Sequence, residues 1–154
     1  MGLAHHPTAA GLERKALDLL FLARAPDPPV PDRVCVVAID DASFRELNLT
    51  GDRVPRPVHA RLIRTLKAEG AAAVAFDVLF DSETTQQDDL DLESALAEAG
   101  NVVLGVSLKV TADPRFRESS WDEPIPPLAE ATAMLGEVNF PIDPDGVIRA
   151  AWPV

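Results

Sequence analysis

Two adjacent carboxylates, Asp40 and Asp41, follow an apolar run that is typical of a buried strand. Asp81 follows a second run of this kind, and Lys109 follows a third. Because open α/β sheets bind ligands at the carboxyl ends of their strands, the sequence predicts these side chains at one edge of a sheet. Carboxylates of this kind bind Mg²⁺, and a nearby lysine can pair with a phosphoryl group. Phosphoryl chemistry is therefore one function that these residues suggest.

This acidic set resembles the site of receiver domains in two-component systems, but the order of elements differs. A receiver has an extra strand between the two strands that correspond to the runs before Asp40 and Asp81. Nothing between Asp41 and Gly70 has a strand pattern. The other interpretation is that Asp40 or Asp41 caps the short helix predicted through Phe44 by accepting its free N–H groups. The alternative function is a metal-dependent phosphoryl-transfer or receiver-like domain. It would use Asp40, Asp41, Asp81 and Lys109.

Two polar side chains stand among apolar residues. His59 lies one turn into a predicted helix, beside its apolar face, where a half-buried structural histidine is the common case. Asp77 interrupts the apolar run 74–80, and a buried carboxylate needs a partner, which Arg53 or Arg56 could supply. No serine or cysteine stands in a motif that would pair with His59 as a nucleophile. We assign no catalytic residue, no metal ligand and no cofactor.

A polar cluster at the carboxyl edge of the sheet is the predicted site. The helix from Pro57 runs back down the predicted sheet, which puts Arg56 at the edge where the strands end. A charge-assisted pair between Arg56 and either Asp40 or Asp41 would hold loop 49–56 and leave a pocket for a signal molecule. The predicted members, in a ligand-binding or structural role, are Asp40, Asp41, Arg56, His59 and Asp77.

Strands and helices alternate along the chain. Continuous apolar runs predict strands at 33–39, 73–80 and 102–108. Helical spacing predicts helices at 8–24, through 44–47, at 57–69, 88–99 and 127–135, with a loop at 111–124. This order predicts an α/β three-layer sandwich, with a mainly parallel central sheet and helices on both faces. The segments around the turn Asp143–Gly146 are predicted to form an antiparallel C-terminal hairpin.

The composition restricts the partners of the domain. The length of 154 residues fits one domain, and the formal net charge of −11 repels nucleic acid and anionic lipid. The single cysteine, Cys35, excludes an internal disulfide. No run approaches the roughly 18–20 apolar residues of a membrane-spanning helix, so we expect a soluble chain. Because the sequence stops within a strand pattern at 152–154, we expect that a C-terminal part is missing.

Several segments with distinctive residues follow one another in a fixed order: Val36–Ser43, Pro55–Leu62, Phe76–Phe80, Gly100–Leu104, Gly136–Asn139 and Asp143–Arg149. Together they resemble the type-two CHASE domain, an extracellular sensory domain associated with cyclases and histidine kinases. The likeness covers most of residues 12–154, and the first helix is similar to the family's helix that leaves the membrane. Where the family has a tryptophan-rich run, this chain has Arg53–Arg56.

The resemblance implies a sensor and not an enzyme. It implies an extracytoplasmic input domain, on the periplasmic or extracellular side of a bacterial plasma membrane. This domain would bind an unknown small-molecule or protein signal and act on a cytoplasmic nucleotide cyclase, histidine kinase or Ser/Thr kinase. Membrane contact is expected only through segments absent from this chain. The resemblance transfers no catalytic residues.

The N-terminal helix 8–24 has a single apolar stripe, formed by Leu12, Ala16, Leu19, Leu20 and Ala23. Such a stripe packs either on the rest of the domain or on a second copy of the chain. We predict weak self-association, a homodimer through this helix, which sedimentation of the chain with and without residues 1–25 would detect.

Overall fold

A computed structural model describes residues 7–24, 33–113 and 116–150. The chain divides into two compact units, Met1–Ser43 and Phe44–Val154. The first unit contains helix α1 (Pro7–Ala23), which confirms the helix predicted at 8–24. Helix α2 (Asp41–Glu46) follows at the boundary and confirms the short helix through Phe44.

The strand predicted at 33–39 is not formed. Residues 34–40 have neither helix nor strand, and each of them is exposed, including Val36 and Ile39. A run of this kind becomes a strand only when another strand pairs with it, and no described strand does. The prediction of three sequential parallel strands was therefore wrong in its first member.

The second unit has an α/β architecture with a mostly parallel sheet, as predicted. Strand β2 (Val102–Asp113) lies in the middle and pairs in parallel with β1 (Val74–Ala75) on one side and β4 (Met134–Glu137) on the other. The distal half of β2 pairs with β3 (Phe116–Asp122) in an antiparallel hairpin. The elements in chain order are α3 (Arg56–Ala68), β1 (Val74–Ala75), α4 (Gln86–Ala99), β2 (Val102–Asp113), β3 (Phe116–Asp122), α5 (Pro126–Ala131) and β4 (Met134–Glu137).

Three boundaries differ from the sequence prediction. The strand predicted at 73–80 is only two residues long, although residues 76–80 keep a strand-like alternation of buried and exposed side chains. The loop predicted at 111–124 contains β3, whose backbone pairs with β2 although residues such as Glu118 and Ser120 gave no strand pattern in the sequence. Helix α5 ends at Ala131, whereas the sequence predicted a helix to residue 135. Met134 and Leu135 belong to β4 instead.

The predicted C-terminal hairpin is confirmed. Ile142 and Ile148 form an antiparallel bridge, and the turn between them is closed by the Asp143 amide, which donates to the Val147 carbonyl at 3.0 Å. Gly146 occupies the last position of this turn with φ of +81°, a conformation that favours glycine. Arg149 donates to the carboxylates of Asp143 and Asp145, which fixes the turn from its side.

The core lies between three helices and one face of the central strand. Helix α4 packs against both α3 and α5. Val102 and Leu104, two residues apart in β2, are fully buried and share a face of the sheet. The second helical layer of the predicted sandwich stays a prediction. The buried apolar residues are Ala60, Ile63, Phe76, Phe80, Leu92, Ala95, Leu96, Ala99, Val102, Leu104, Ile125 and Leu128.

Candidate functional site

Two polar side chains are buried in the described part of the chain, Arg56 at 5% exposure and His59 at 3%. Both lie in the first turn of α3, which begins after Pro55 and has Pro57 in its first turn. Because arginine and histidine are seldom buried without partners, their surroundings decide what this part of the domain can do.

The guanidinium of Arg56 is held by loop 81–85 and by the first turn of α4. Its Nε lies 2.6 Å from Oδ1 of Asp89 and donates to Thr84 Oγ1 at 3.1 Å. Nη2 donates to the carbonyl of Ser82. The third nitrogen, Nη1, is buried, and no described atom accepts its hydrogen bond. Arg56 therefore joins the start of α3 to loop 81–85 and keeps unused hydrogen-bonding capacity.

The ring of Phe80 lies beside the same guanidinium and also contacts the ring of His59. The Cζ atom of Arg56 lies 5.4 Å from the centroid of the Phe80 ring, which is within the range of a cation–π interaction. The His59 ring makes edge contacts with Phe80 at 5.2 Å and with Phe76 at 5.7 Å between centroids. We call Arg56, His59, Phe80, Thr84 and Asp89 the Arg56 cluster.

Loop 81–85 is fixed by a second set of hydrogen bonds. The Thr84 hydroxyl donates to Asp89 Oδ1 at 2.6 Å, and the Thr84 amide donates to Oδ2 at 3.1 Å. Burial raises the pKa of the Asp89 carboxyl, but these hydrogen bonds and the charge of Arg56 outweigh burial and hold the pKa below its ordinary value. Asp89 is therefore ionised at neutral pH and compensates the buried charge of Arg56.

His59 has a lowered pKa in the folded chain. Burial is the main cause, a hydrogen bond with the Val54 backbone opposes it, and the charge of Arg56 adds to the lowering. The imidazole is therefore neutral at pH 7 and packs as an aromatic ring against Phe76 and Phe80.

This lowered pKa predicts a pH dependence of stability. The unfolded state takes up a proton near the ordinary pKa of about 6.5, whereas the folded state resists protonation. The free energy of unfolding should therefore decrease as the pH falls from about 7.5 to about 5.5, a range above that of the carboxylates. Urea unfolding at several pH values measures this slope. The His59→Leu variant should lose it, and an equal slope in the variant would contradict the assignment to His59.

Asp40 and Asp41 belong to the first unit, where Asp40 caps α2. The Ser43 amide and hydroxyl both donate to Asp40 Oδ1 at 2.9 Å. These hydrogen bonds lower the pKa of the Asp40 carboxyl. The capping interpretation of Asp40 is thus confirmed, whereas the pairing of either carboxylate with Arg56 stays a prediction.

Asp77 is exposed, so its predicted burial was wrong. It alternates with the buried Phe76 along an extended segment, and a carboxylate that faces water needs no buried partner. Arg53, its other predicted partner, donates to the Ser82 hydroxyl at 3.2 Å. The structure brings together Arg56 and His59 from the predicted cluster and adds Asp89, which the sequence analysis had not placed there.

The alternative phosphoryl-transfer site finds little support. Lys109 lies 2.5 Å from Asp122, its neighbour across the β2–β3 hairpin, and this contact is the main cause of its raised pKa. The charge of Asp81 contributes to the same shift. In the described residues, no group of three or more His, Cys, Asp or Glu side chains could hold a metal ion.

The comparisons with known proteins assign the family. No helix in the described part of the chain is long and apolar enough to span a membrane. Searches of curated proteins and of solved structures gave no match. The family model of the CHASE2 domain matches residues 1–154, the whole chain. CHASE2 domains are extracellular sensory domains without catalytic activity of their own. The chain therefore belongs to the CHASE2 domain family.

Proposed function

We propose that the chain is the extracytoplasmic input domain of a membrane-bound bacterial signalling protein. In this role it binds a small ligand or a partner and regulates a cytoplasmic output domain, a nucleotide cyclase or a kinase. The observation that carries the proposal is the family match over all 154 residues, because the family consists of extracellular sensory domains.

The Arg56 cluster is the ligand site that the geometry favours. A buried guanidinium N–H without an acceptor costs roughly 1–3 kcal/mol, and a ligand oxygen at Nη1 would remove that cost. Because Nη1 is buried, loop 81–85 must move to admit the ligand. Ligand binding would then select the conformation in which this loop is displaced, which is how a sensor converts binding into a structural change. Asp40, Asp41 and Asp77 stay predicted members of the site.

The output activity of the parent protein tests this proposal. Membranes that contain the parent are assayed for cyclic-nucleotide synthesis or for phosphorylation, in the wild type and in the Arg56→Lys variant. Lysine keeps the charge but cannot make the same set of planar hydrogen bonds. We expect the variant to shift the signal-dependent activity at least about threefold, roughly 0.65 kcal/mol of coupling.

Arg64→Lys is the matched control, because Arg64 lies on the same helix and makes exposed ion pairs with Asp91 and Glu98. Its output should equal that of the wild type. Equal activities in all three proteins would contradict the cluster as the input site. Thermal stabilisation of the chain by Mg²⁺ with acetyl phosphate, lost in Asp40→Asn, would favour the phosphoryl-transfer alternative instead.

A further inference from the structure

Loop 81–85 is joined to the start of α3 by the side chains of two arginines. Arg56 Nη2 donates to the Ser82 carbonyl, and Arg53 donates to the Ser82 hydroxyl at 3.2 Å. Arg56 Nε also donates to Thr84 Oγ1 at 3.1 Å. The loop itself has neither helix nor strand. Because a segment that is held by a few side-chain hydrogen bonds opens at a lower free energy than the core, the contacts of Arg56 decide whether this loop stays closed.

His59 lies next to this attachment. It is 3% exposed and stands three residues after Arg56, on the same side of α3. The Phe80 ring contacts both side chains, with its centroid 5.2 Å from that of the His59 ring and 5.4 Å from Arg56 Cζ. Phe80 is also the residue directly before loop 81–85. A change in the charge of His59 can therefore reach the loop through Arg56 and through Phe80.

The surroundings of His59 balance one buried cation and not two. Arg56 is the charged group that acts on the imidazole, and α4 contributes Asp89, which is already paired with Arg56. The segment after β1 contributes two uncharged aromatic rings, and the residues before α3 contribute the Val54 backbone. Within the described residues, no carboxylate forms an ion pair with His59. A proton on His59 would therefore create a second buried cation without a countercharge.

We propose that acid releases loop 81–85: a proton on His59 favours a displaced form of the loop, in which both cations reach water. The proposal rests on the proposed function in taking the Arg56 cluster as the input site, and it adds the proton as a signal that this site receives. Histidine suits the role because its charge ordinarily changes between pH 5 and 8.

The expected response follows from the difference between the two forms. In the closed form the pKa of His59 is lowered, whereas in the displaced form His59 protonates near the ordinary pKa of about 6.5. The displaced fraction should therefore rise by up to roughly tenfold as the pH falls from about 7.5 to about 5.5. The pKa of Asp89 is held below its ordinary value, so this carboxylate stays ionised over the same range.

Amide hydrogen exchange in the whole chain, measured by NMR, tests the release. The Thr84 amide donates to Asp89 Oδ2 at 3.1 Å and reports on the loop, and the Ala133 amide donates to the Val102 carbonyl at 3.0 Å and reports on the core. We expect Thr84 to be at least about tenfold less protected than Ala133, because the loop opens without the core. Its protection factor should fall roughly three- to tenfold between pH 7.5 and 5.5. Equal protection of the two amides, or a Thr84 protection factor that does not change with pH, would overturn the proposal.

Histidine variants assign the response to one side chain. His59→Phe keeps an aromatic ring but takes up no proton, so the protection of Thr84 should no longer change with pH, and His59→Leu should behave in the same way. The other two histidines are His5 and His6, and replacing both with glutamine should leave the wild-type response. A response that persists in both His59 variants would sink the assignment. A loop that ignores pH would remove the acid signal alone, because the Arg56→Lys output assay tests the input role of the cluster separately.

Discussion

Replacing Arg56 with alanine is expected to lower the free energy of unfolding by about 3 kcal/mol, the lower end of the cost of breaking a buried ion pair. The variant loses the contacts of the guanidinium with Asp89, Thr84 and Phe80. It also leaves Asp89, whose side chain is only 16% exposed, without its countercharge. For a domain of this length the melting temperature should fall by about 6–12 °C, measured by circular dichroism.

Arg64→Ala controls for the loss of any arginine from α3. Arg64 also pairs with residues of α4, at 2.9 Å from Asp91 and 3.3 Å from Glu98, but its side chain is 39% exposed. Exposed ion pairs contribute roughly 0–1 kcal/mol, so this variant should melt within about 4 °C of the wild type. If the two alanine variants lost equal stability, burial of Arg56 would not be the cause of its contribution.

Gly105→Ala is expected to cost about 2 kcal/mol, in the range that overpacked cores show. A Cβ atom at Gly105 would lie 2.9 Å from Cγ1 of Val138 and 3.2 Å from the carbonyl oxygen of Phe76. The carbonyl belongs to Phe76, whose amide donates to the Val103 carbonyl at 2.9 Å, so the backbone at this point is held in place. Urea denaturation should show a lower midpoint with an unchanged m-value.

Two other glycines supply the controls for this substitution. Gly136 lies directly across the β2–β4 ladder from Gly105, and a Cβ atom there would meet only Val103 Cγ1, at 3.2 Å. Gly136→Ala should therefore cost less than Gly105→Ala. In α1, a Cβ atom at Gly11 would meet nothing within 4 Å, and alanine is the better helix former, so Gly11→Ala should not destabilise the chain. The reverse order of losses would contradict the close approach at Gly105.

The helices of this chain were predictable from the sequence because their signals are local. α3 begins at a proline pair, and α4 is followed by Gly100 in the left-handed conformation, so spacing and end residues suffice. Strand pairing depends on distant partners, which a single sequence does not reveal. Two predictions failed for this reason. The apolar run 34–39 was predicted to be a strand and is not one, and the polar strand β3 was predicted to be a loop.

The candidate site was predicted only in part, because only some of its residues have a local signal in the sequence. Arg56 and His59 were found because their position at a helix start, next to apolar residues, is visible in the sequence. Asp89 was missed because it stands in an acidic run that is typical of a solvated helix start. The one available signal was Thr85, which caps α4 through the Asp88 amide and so places Asp89 in the first turn, near loop 81–85.

The location of Cys35 in intact cells tests the central claim most directly. Cys35 is the single cysteine of this chain and is exposed, so a membrane-impermeant maleimide can label it wherever the reagent reaches the domain. Cells that produce the parent protein are treated before and after lysis, and a Cys35→Ser parent shows which labelling belongs to this residue. An extracytoplasmic input domain predicts Cys35-dependent labelling of intact cells. Labelling that requires lysis would place the domain in the cytoplasm and contradict the account.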